Sequence, residues 1–195
     1  AAAARRMRVI AGSLGGRRLV APPGRGTRPT SDRVKEALFS IIGPVEGVAV
    51  LDLFAGSGAL AIEALSRGAA SAVCVDDDRG AADAIRANAR VLGLEGRLRV
   101  ERRGWRGALG AAAERGAAFG LVLADPPYAL LPVIVEEMGE AIGGVLAPGA
   151  VVVIEHARGA IIDPQGIPGI AVERDTTRRY GDTEITVMWT PGAGT

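Results

Sequence analysis

The tetrapeptide Asp125-Pro126-Pro127-Tyr128 directly follows the apolar run Leu121-Val122-Leu123-Ala124. Two consecutive prolines fix φ and remove two backbone donors, so the segment after Asp125 is stiff and cannot extend a β-ladder. That stiffness holds a carboxylate, a bare carbonyl and an aromatic face in fixed relation at the edge of a sheet. A planar base could stack on Tyr128 while its amine donates to Asp125 and the Pro126 carbonyl. The plainer alternative is a Pro-Pro turn closing a core strand, with Tyr128 packing the rim.

A second group with chemical content is the run Asp52-Leu53-Phe54-Ala55-Gly56-Ser57-Gly58-Ala59-Leu60-Ala61. Gly56 and Gly58 let backbone approach a ligand closely. The stretch also satisfies G-x-G-x-x-G/A, with Asp76 twenty residues beyond Gly56, which admits a nicotinamide-dependent oxidoreductase. Two features oppose that reading. The strand is expected to end at Asp52, leaving Leu53-Phe54-Ala55 before the first glycine, whereas a dinucleotide loop begins at the strand end. A carboxylate beside the phosphate site would also repel pyrophosphate. A ligand with an amino group and a ribose but no phosphate suits Asp52 and Asp76 better, and S-adenosylmethionine is such a ligand.

These residues need a scaffold, and the pattern from Val48 onward supplies one. Strands are expected at Val48–Asp52, Ala72–Asp76, Leu98–Glu101, Leu121–Asp125 and Val151–Glu155, with helices near 57–67, 80–92, 106–115 and 131–143 between them. Apolar strands alternating with helices indicate a mostly parallel, doubly wound α/β sheet covered on both faces. Ile170–Asp175 and Thr183–Thr190, flanking a Gly181-Asp182 turn, predict a closing antiparallel hairpin. Four strands are expected to end in an acid at one level: Asp52, Asp76, Asp125 and Glu155. Ligands of open α/β sheets bind beyond those ends. Before this core, residues 7–11 and 17–21 read as a β-hairpin, 22–30 as a mobile loop, and Ser31 or Thr30 as the cap of a helix to about Ile42. Residues 1–30 thus form a basic appendage and 31–195 the main domain.

At 195 residues, 48% hydrophobic and 23% charged, the chain fits one soluble globular domain. No apolar stretch approaches the roughly 20 residues that span a bilayer. The segment before Met7 lacks the apolar core of a secretory signal and reads as a short leader or remnant. One cysteine, Cys74, and one histidine, His156, leave no disulfide framework and no metal cluster. Cys74 reads as a core thiol and His156 as a structural or rim residue, and the compartment as a reducing cytoplasm. The net charge of +1 conceals a split: residues 1–35 carry +8 and the remainder −7. A basic arm on an acidic body points to a polyanion such as nucleic acid. Arg17, Arg18, Arg25, Arg28, Arg33 and Lys35 are the candidate contacts.

Taken together, the motifs resemble a known family. Asp52 to Gly58 resembles the cofactor loop of class I methyltransferases, and Asp125 to Tyr128 resembles their amine-methylating motif. Arg8-Val9-Ile10-Ala11-Gly12, Gly16-Arg17-Arg18-Leu19 and the run Thr27 to Phe39 are similar to the RsmD family of small-subunit ribosomal RNA guanine-N2 methyltransferases. Leu60 to Gly68 and Tyr180-Gly181-Asp182-Thr183 extend the match, which runs from about Met7 to Trp189. The resemblance implies a Rossmann-like methyltransferase domain over 31–195. It also implies an S-adenosylmethionine site in which Asp52, Phe54, Ala55, Gly56 and Gly58 line the methionine end and Asp76 holds the ribose hydroxyls. Asp125, Pro126 and Tyr128 would hold the guanine, Asp125 first as an orienter of the amine and second as a proton acceptor. The family often places an Asp after the third strand, near the adenine; here Gly104 stands there.

The expected partner is small-subunit (16S) ribosomal RNA, free or within a 30S particle, with no membrane and no metal; a monomer is expected. Three other readings stay open on the residues: an adenine-N6 methyltransferase on DNA or RNA, a nicotinamide-dependent oxidoreductase, and a nucleic-acid-binding protein without catalysis.

Overall fold

The computed structural model describes residues 7–23, 31–127, 131–160 and 162–193, without the side chains of 132–134. Its elements are α1 (Asp32–Ile42), β1 (Ala49–Leu53), α2 (Ala59–Ser66), β2 (Ser71–Val75), α3 (Arg79–Leu92), β3 (Leu98–Glu101), α4 (Trp105–Glu114), β4 (Phe119–Ala124), α5 (Leu131–Gly143), β5 (Leu146–Ala157), β6 (Arg174–Tyr180) and β7 (Thr183–Trp189). Side-chain chemistry sets the helix ends. Ser31 caps α1 by accepting from the Val34 N–H, and Asp78 caps α3 by accepting from Ala81 N–H at 2.7 Å. Gly93 then ends α3 in the left-handed conformation.

The sheet has the order β3-β2-β1-β4-β5-β7-β6. Its first five strands run parallel, and β7 and β6 are antiparallel additions. One face carries Val50, Cys74, Leu121, Leu123, Val153, Ile185 and Val187 beneath apolar residues of α1, α2 and α3. The other carries Leu51, Leu53, Val122, Val152, Ile154 and Met188 beneath α4 and α5. Both faces of β1 and β4 are therefore dry, which explains why these strands read as continuous apolar runs.

Strand ends shift by a residue at β1, which stops at Leu53 and not Asp52, and at β2 and β4, which stop before Asp76 and Asp125, and two boundaries shift further. β5 spans twelve residues, because Pro148 and Gly149, which read as a turn, lie inside it. Gly149 (φ 71) donates to the Pro191 carbonyl, and a register irregularity on β4 between Phe119 and Leu121 absorbs the mismatch. β6 starts at Arg174 instead of Ile170. Seven residues of β7 need seven partners counted back from the Gly181-Asp182 turn, so Arg178, Arg179 and Tyr180 belong to the strand.

The N-terminal arm is antiparallel, but as a single bridge, Arg8 to Arg18, and not as two strands. It is no free appendage. Val9 and Leu19 are buried in the core beside α2 and α3. Fully buried Glu63 of α2 accepts from Ile10 N–H (2.7 Å), Ala11 N–H (3.0 Å) and Arg67 Nε (2.8 Å). Ser66 Oγ accepts from Leu14 N–H and donates to the Ala11 carbonyl. Gly12 is required at this crossing: with φ 81, a Cβ there would lie 1.9 Å from the Ser66 carbonyl oxygen.

Candidate active site

Parallel register decides which acids meet. Leu53 pairs with Val75 and with Ala124, and Ala124 pairs with Ile154. One step further lie Phe54, Asp76, Asp125 and Glu155, in a single row at the carboxyl edge. Asp52 is not in that row. It pairs with Cys74 and Leu123, two residues back, so the expected alignment of four acids holds for three. Strand alternation still turns Asp52, Asp76 and Asp125 to the same face of the sheet.

Depth gives these carboxylates different properties. Asp52 is 4% exposed and accepts from Ala61 N–H at 3.2 Å in the first turn of α2. Burial drives its carboxyl up to about 7 against the pull of that N–H, with the charges of Asp125 and Asp76 adding to the rise. Asp125 lies exposed at the carboxyl edge, yet the protein packed around it desolvates its carboxyl and raises it to about 6. No cation figures in either shift. Asp76 is buried and accepts from Gly56 N–H at 2.9 Å and Asp78 N–H at 3.0 Å. It therefore ties the glycine loop to the β2–α3 loop.

The loop itself is held in strained backbone. Phe54 has φ 61, a left-handed conformation that costs a non-glycine residue of order 1 kcal/mol or more. Ala55 N–H donates to the Val75 carbonyl at 3.0 Å, locking the loop against β2. Gly58 (φ 74) starts α2, and a Cβ there would lie 3.3 Å from two carbons of Ile85. Ser57 is braced twice, its hydroxyl 3.0 Å from Met7 Sδ and its carbonyl 3.0 Å from Asn88 Nδ2. Asn88 also exchanges two hydrogen bonds with Val20. Sequence reasoning missed Asn88 and Glu63. The signal for Asn88 was a polar residue at a core-facing helical position, in step with Ile85 and Leu92.

At the mouth, Pro126 is buried, Pro127 exposed, and Asp125 N–H points to the Leu53 carbonyl at 3.4 Å. Tyr128, Arg25 and Arg28 lie outside the described residues. The candidate polyanion contacts do not gather in one place. Arg18 and Arg33 are exposed, and Arg17 donates to the Val91 carbonyl at 3.5 Å. Val91 lies roughly 20 Å along α3 from its N-cap at the carboxylate edge. Lys35 corrects the expectation: it is fully buried, with Nζ donating to the Arg8 carbonyl. Burial lowers its pKa against the pull of Glu63. It anchors α1 to the arm and cannot reach a phosphate.

Cys74 is buried, as expected, and its thiol pKa is raised by burial and by Asp52 and Asp76. His156 is 1% exposed and bonds Thr186 Oγ1 at 2.9 Å, a structural role. A groove of about 650 Å³ opens at the other end of the sheet, between α3 and the starts of β2 and β3. Its arginines serve the fold, Arg97 donating to the Leu65, Ala69 and Ala70 carbonyls and Arg99 pairing with Glu101.

The site therefore offers glycine-lined backbone, a buried acid at the end of β2, and two carboxyls whose pKa values desolvation raises. Such a donor set fits a cationic ligand carrying a diol and disfavours a pyrophosphate. The family model described as conserved hypothetical protein 95 matches residues 7–189. YlbH of Bacillus subtilis (strain 168), provisionally named an rRNA methyltransferase, is 40% identical over 188 residues, 93% of this chain and 97% of that one. Ribosomal RNA small subunit methyltransferase D of Escherichia coli (strain K12) is 41% identical over 123 residues, 63% of this chain and 60% of that one. A solved Escherichia coli structure, yhhF, provisionally named a methyltransferase, superposes with a TM-score of 0.75 at 30% identity. It covers 96% of this chain and 99% of its own. With both the model and a near full-length relative matched, the chain belongs to the conserved hypothetical protein 95 family, the RsmD family.

Proposed function

We propose that this protein is an S-adenosylmethionine-dependent methyltransferase acting on the exocyclic N2 amine of a guanine in small-subunit ribosomal RNA. The observation that carries the reading is the row shared by Asp76 and Asp125. The first is a buried acid fixed beside a glycine loop. The second is a desolvated carboxylate on a proline-stiffened strand end three strand positions from β3 on the same face. S-adenosylmethionine supplies a sulfonium-activated methyl group when bound. Gly56 and Gly58 would admit its amino-acid end, Asp52 would offset its positive charge, and Asp76 would accept from its ribose hydroxyls.

The remaining chemistry belongs to the chain. The guanine amine is a weak nucleophile, because its lone pair is delocalised into the ring. Accepting its two hydrogens on Asp125 and the Pro126 carbonyl favours a pyramidal nitrogen and aims the lone pair. Alignment of this kind can contribute several kcal/mol by converting an encounter into a near-attack geometry. No strong base is needed beforehand, since the nitrogen becomes acidic only as the new bond forms. Tyr128 would stack the base, which must be unpaired or turned out of its helix.

The names of YlbH and of small subunit methyltransferase D support ribosomal RNA as the substrate class. The test is nucleoside mass spectrometry of small-subunit rRNA from a strain lacking the gene. Loss of N2-methylguanosine, restored by the wild-type gene, supports the reading. Loss of N6-methyladenosine instead would make the enzyme an adenine methyltransferase, and an unchanged nucleoside profile would reject ribosomal RNA.

A further inference from the structure

The β6–β7 hairpin extends the sheet edge beyond β5. Asp125 and Glu155 share a row, Glu155 pairs with Ile185, and Ile185 pairs with Arg178. Arg178 is thus three strands from Asp125 at the same level, about 14 Å at the usual strand spacing. Residues of one row point to the same face. Ile185 is buried with the α1–α3 layer, so Arg178 lies on the face to which Asp52, Asp76 and Asp125 turn. Tyr180, two residues on, shares this face and packs half-buried against the same core. Arg179 lies on the opposite face, paired with Glu184. The tip is tied down: Arg158 N–H donates to the Asp182 carbonyl at 2.9 Å, and Gly159 N–H to Glu184 Oε2 at 3.4 Å.

Several other arginines among the described residues are consumed by the fold. Arg67 pairs with Glu63, Arg99 and Arg115 with Glu101, and Arg106 with Glu137. Arg178 is exposed and donates to the Thr177 carbonyl at 3.2 Å, one bond from a group with five N–H donors. By contrast Arg17 contacts the far end of α3. The hairpin places an exposed guanidinium on the flank of Asp125.

We propose that Arg178 binds a backbone phosphate of the substrate RNA a few nucleotides from the target base, with Tyr180 as its apolar footing, so that the β6–β7 tip sets the strand's path across the site. This rests on reading the chain as an RNA methyltransferase. A guanidinium–phosphate contact is charge-assisted and bidentate in favourable geometry, and each such contact contributes roughly −0.7 to −0.9 to the log–log salt slope of binding. The opposite-facing Arg179 gives a matched comparison in the same strand.

The experiment measures binding of small-subunit RNA to wild type, Arg178→Ala, Arg178→Lys and Arg179→Ala at several salt concentrations. Thermal denaturation and S-adenosylmethionine calorimetry on each protein accompany it. Arg178→Ala should bind RNA between about ten- and a hundredfold more weakly and lose roughly one contact from the salt slope. Cofactor affinity and melting temperature should stay at wild-type values. Arg178→Lys should keep the slope, and Arg179→Ala should match wild type. Wild-type affinity and slope in Arg178→Ala, or equal losses in Arg178→Ala and Arg179→Ala, would overturn the assignment while leaving the enzymatic reading intact. Failure of the wild-type protein to methylate or bind this RNA would remove the enzymatic reading, and this one with it.

Discussion

Asp52 and Asp125 turn to one face of the sheet, yet two residues of depth along the strand separate their behaviour. Asp52 is walled in on β1, and its proton is held more tightly in the folded chain than in the unfolded one. Its stabilising contribution is therefore whole below about 3.8 and is lost as pH rises through about 7. Asp52→Asn keeps an acceptor for Ala61 N–H and removes the charge. It should melt higher than wild type at pH 8, by up to about 4 kcal/mol of stability at ~1.4 per pK unit, and the gain should vanish near pH 4. Thermal denaturation across pH checks this, and an equal gain at both pH values would contradict it. The same substitution should weaken S-adenosylmethionine binding. In the proposed mechanism Asp125 accepts the amine hydrogens as a carboxylate, so single-turnover transfer should fall as pH drops through about 6. Asp125→Ala should lose about 10²–10³ in rate, the usual cost of a preorganised polar group, with cofactor affinity nearly unchanged. A wild-type single-turnover rate in that variant would end the orienting role.

Between elements, the arm and α2 are joined by buried polar groups, and here the sequence was least informative. Glu63 sits in an apolar helix where nothing in the local pattern distinguishes a buried carboxylate from a solvated one. Its partners, Ile10 and Ala11, are more than fifty residues away. Glu63→Ala would strand two amide N–H groups and leave Lys35 buried beside Arg67. It should cost about 3–5 kcal/mol and expose the arm to limited proteolysis. Glu63→Gln, retaining an acceptor, should lose less. Unchanged stability and proteolysis in Glu63→Ala would show that the arm is held by its apolar residues alone. The core elements were legible because periodicity and caps are local: Ser31, Asp78 and Gly93 mark helix ends through their own side chains or backbone freedom. The length of β5 and the start of β6 were not, since pairing partners fix them and Pro148-Gly149 imitates a turn. The glycine loop and Asp76 were readable from spacing. The retreat of Asp52 from the row of acids depended on register, which only the sheet supplies.

At the scale of the whole molecule, a strongly basic N-terminus does not imply a detachable one. Cutting away residues 1–35 would remove Val9, Leu19 and Lys35 from the core and uncover Glu63, so the charge split is tested by substitution at exposed Arg17, Arg18 and Arg33 and not by truncation. The sheet brings together the groups that the proposed methyl transfer would use. A strained glycine loop and Asp76 lie on one side, and Asp125 and Pro126 two strands away. No described helix is long and apolar enough to cross a membrane. The most direct measurement gives purified protein labelled S-adenosylmethionine and unmethylated small-subunit RNA, free or in 30S particles, and digests the RNA to nucleosides after a single turnover. The account predicts label in N2-methylguanosine with wild type and about 10²–10³ less with Asp125→Ala. Label in N6-methyladenosine, or equal labelling by the two proteins, would contradict it.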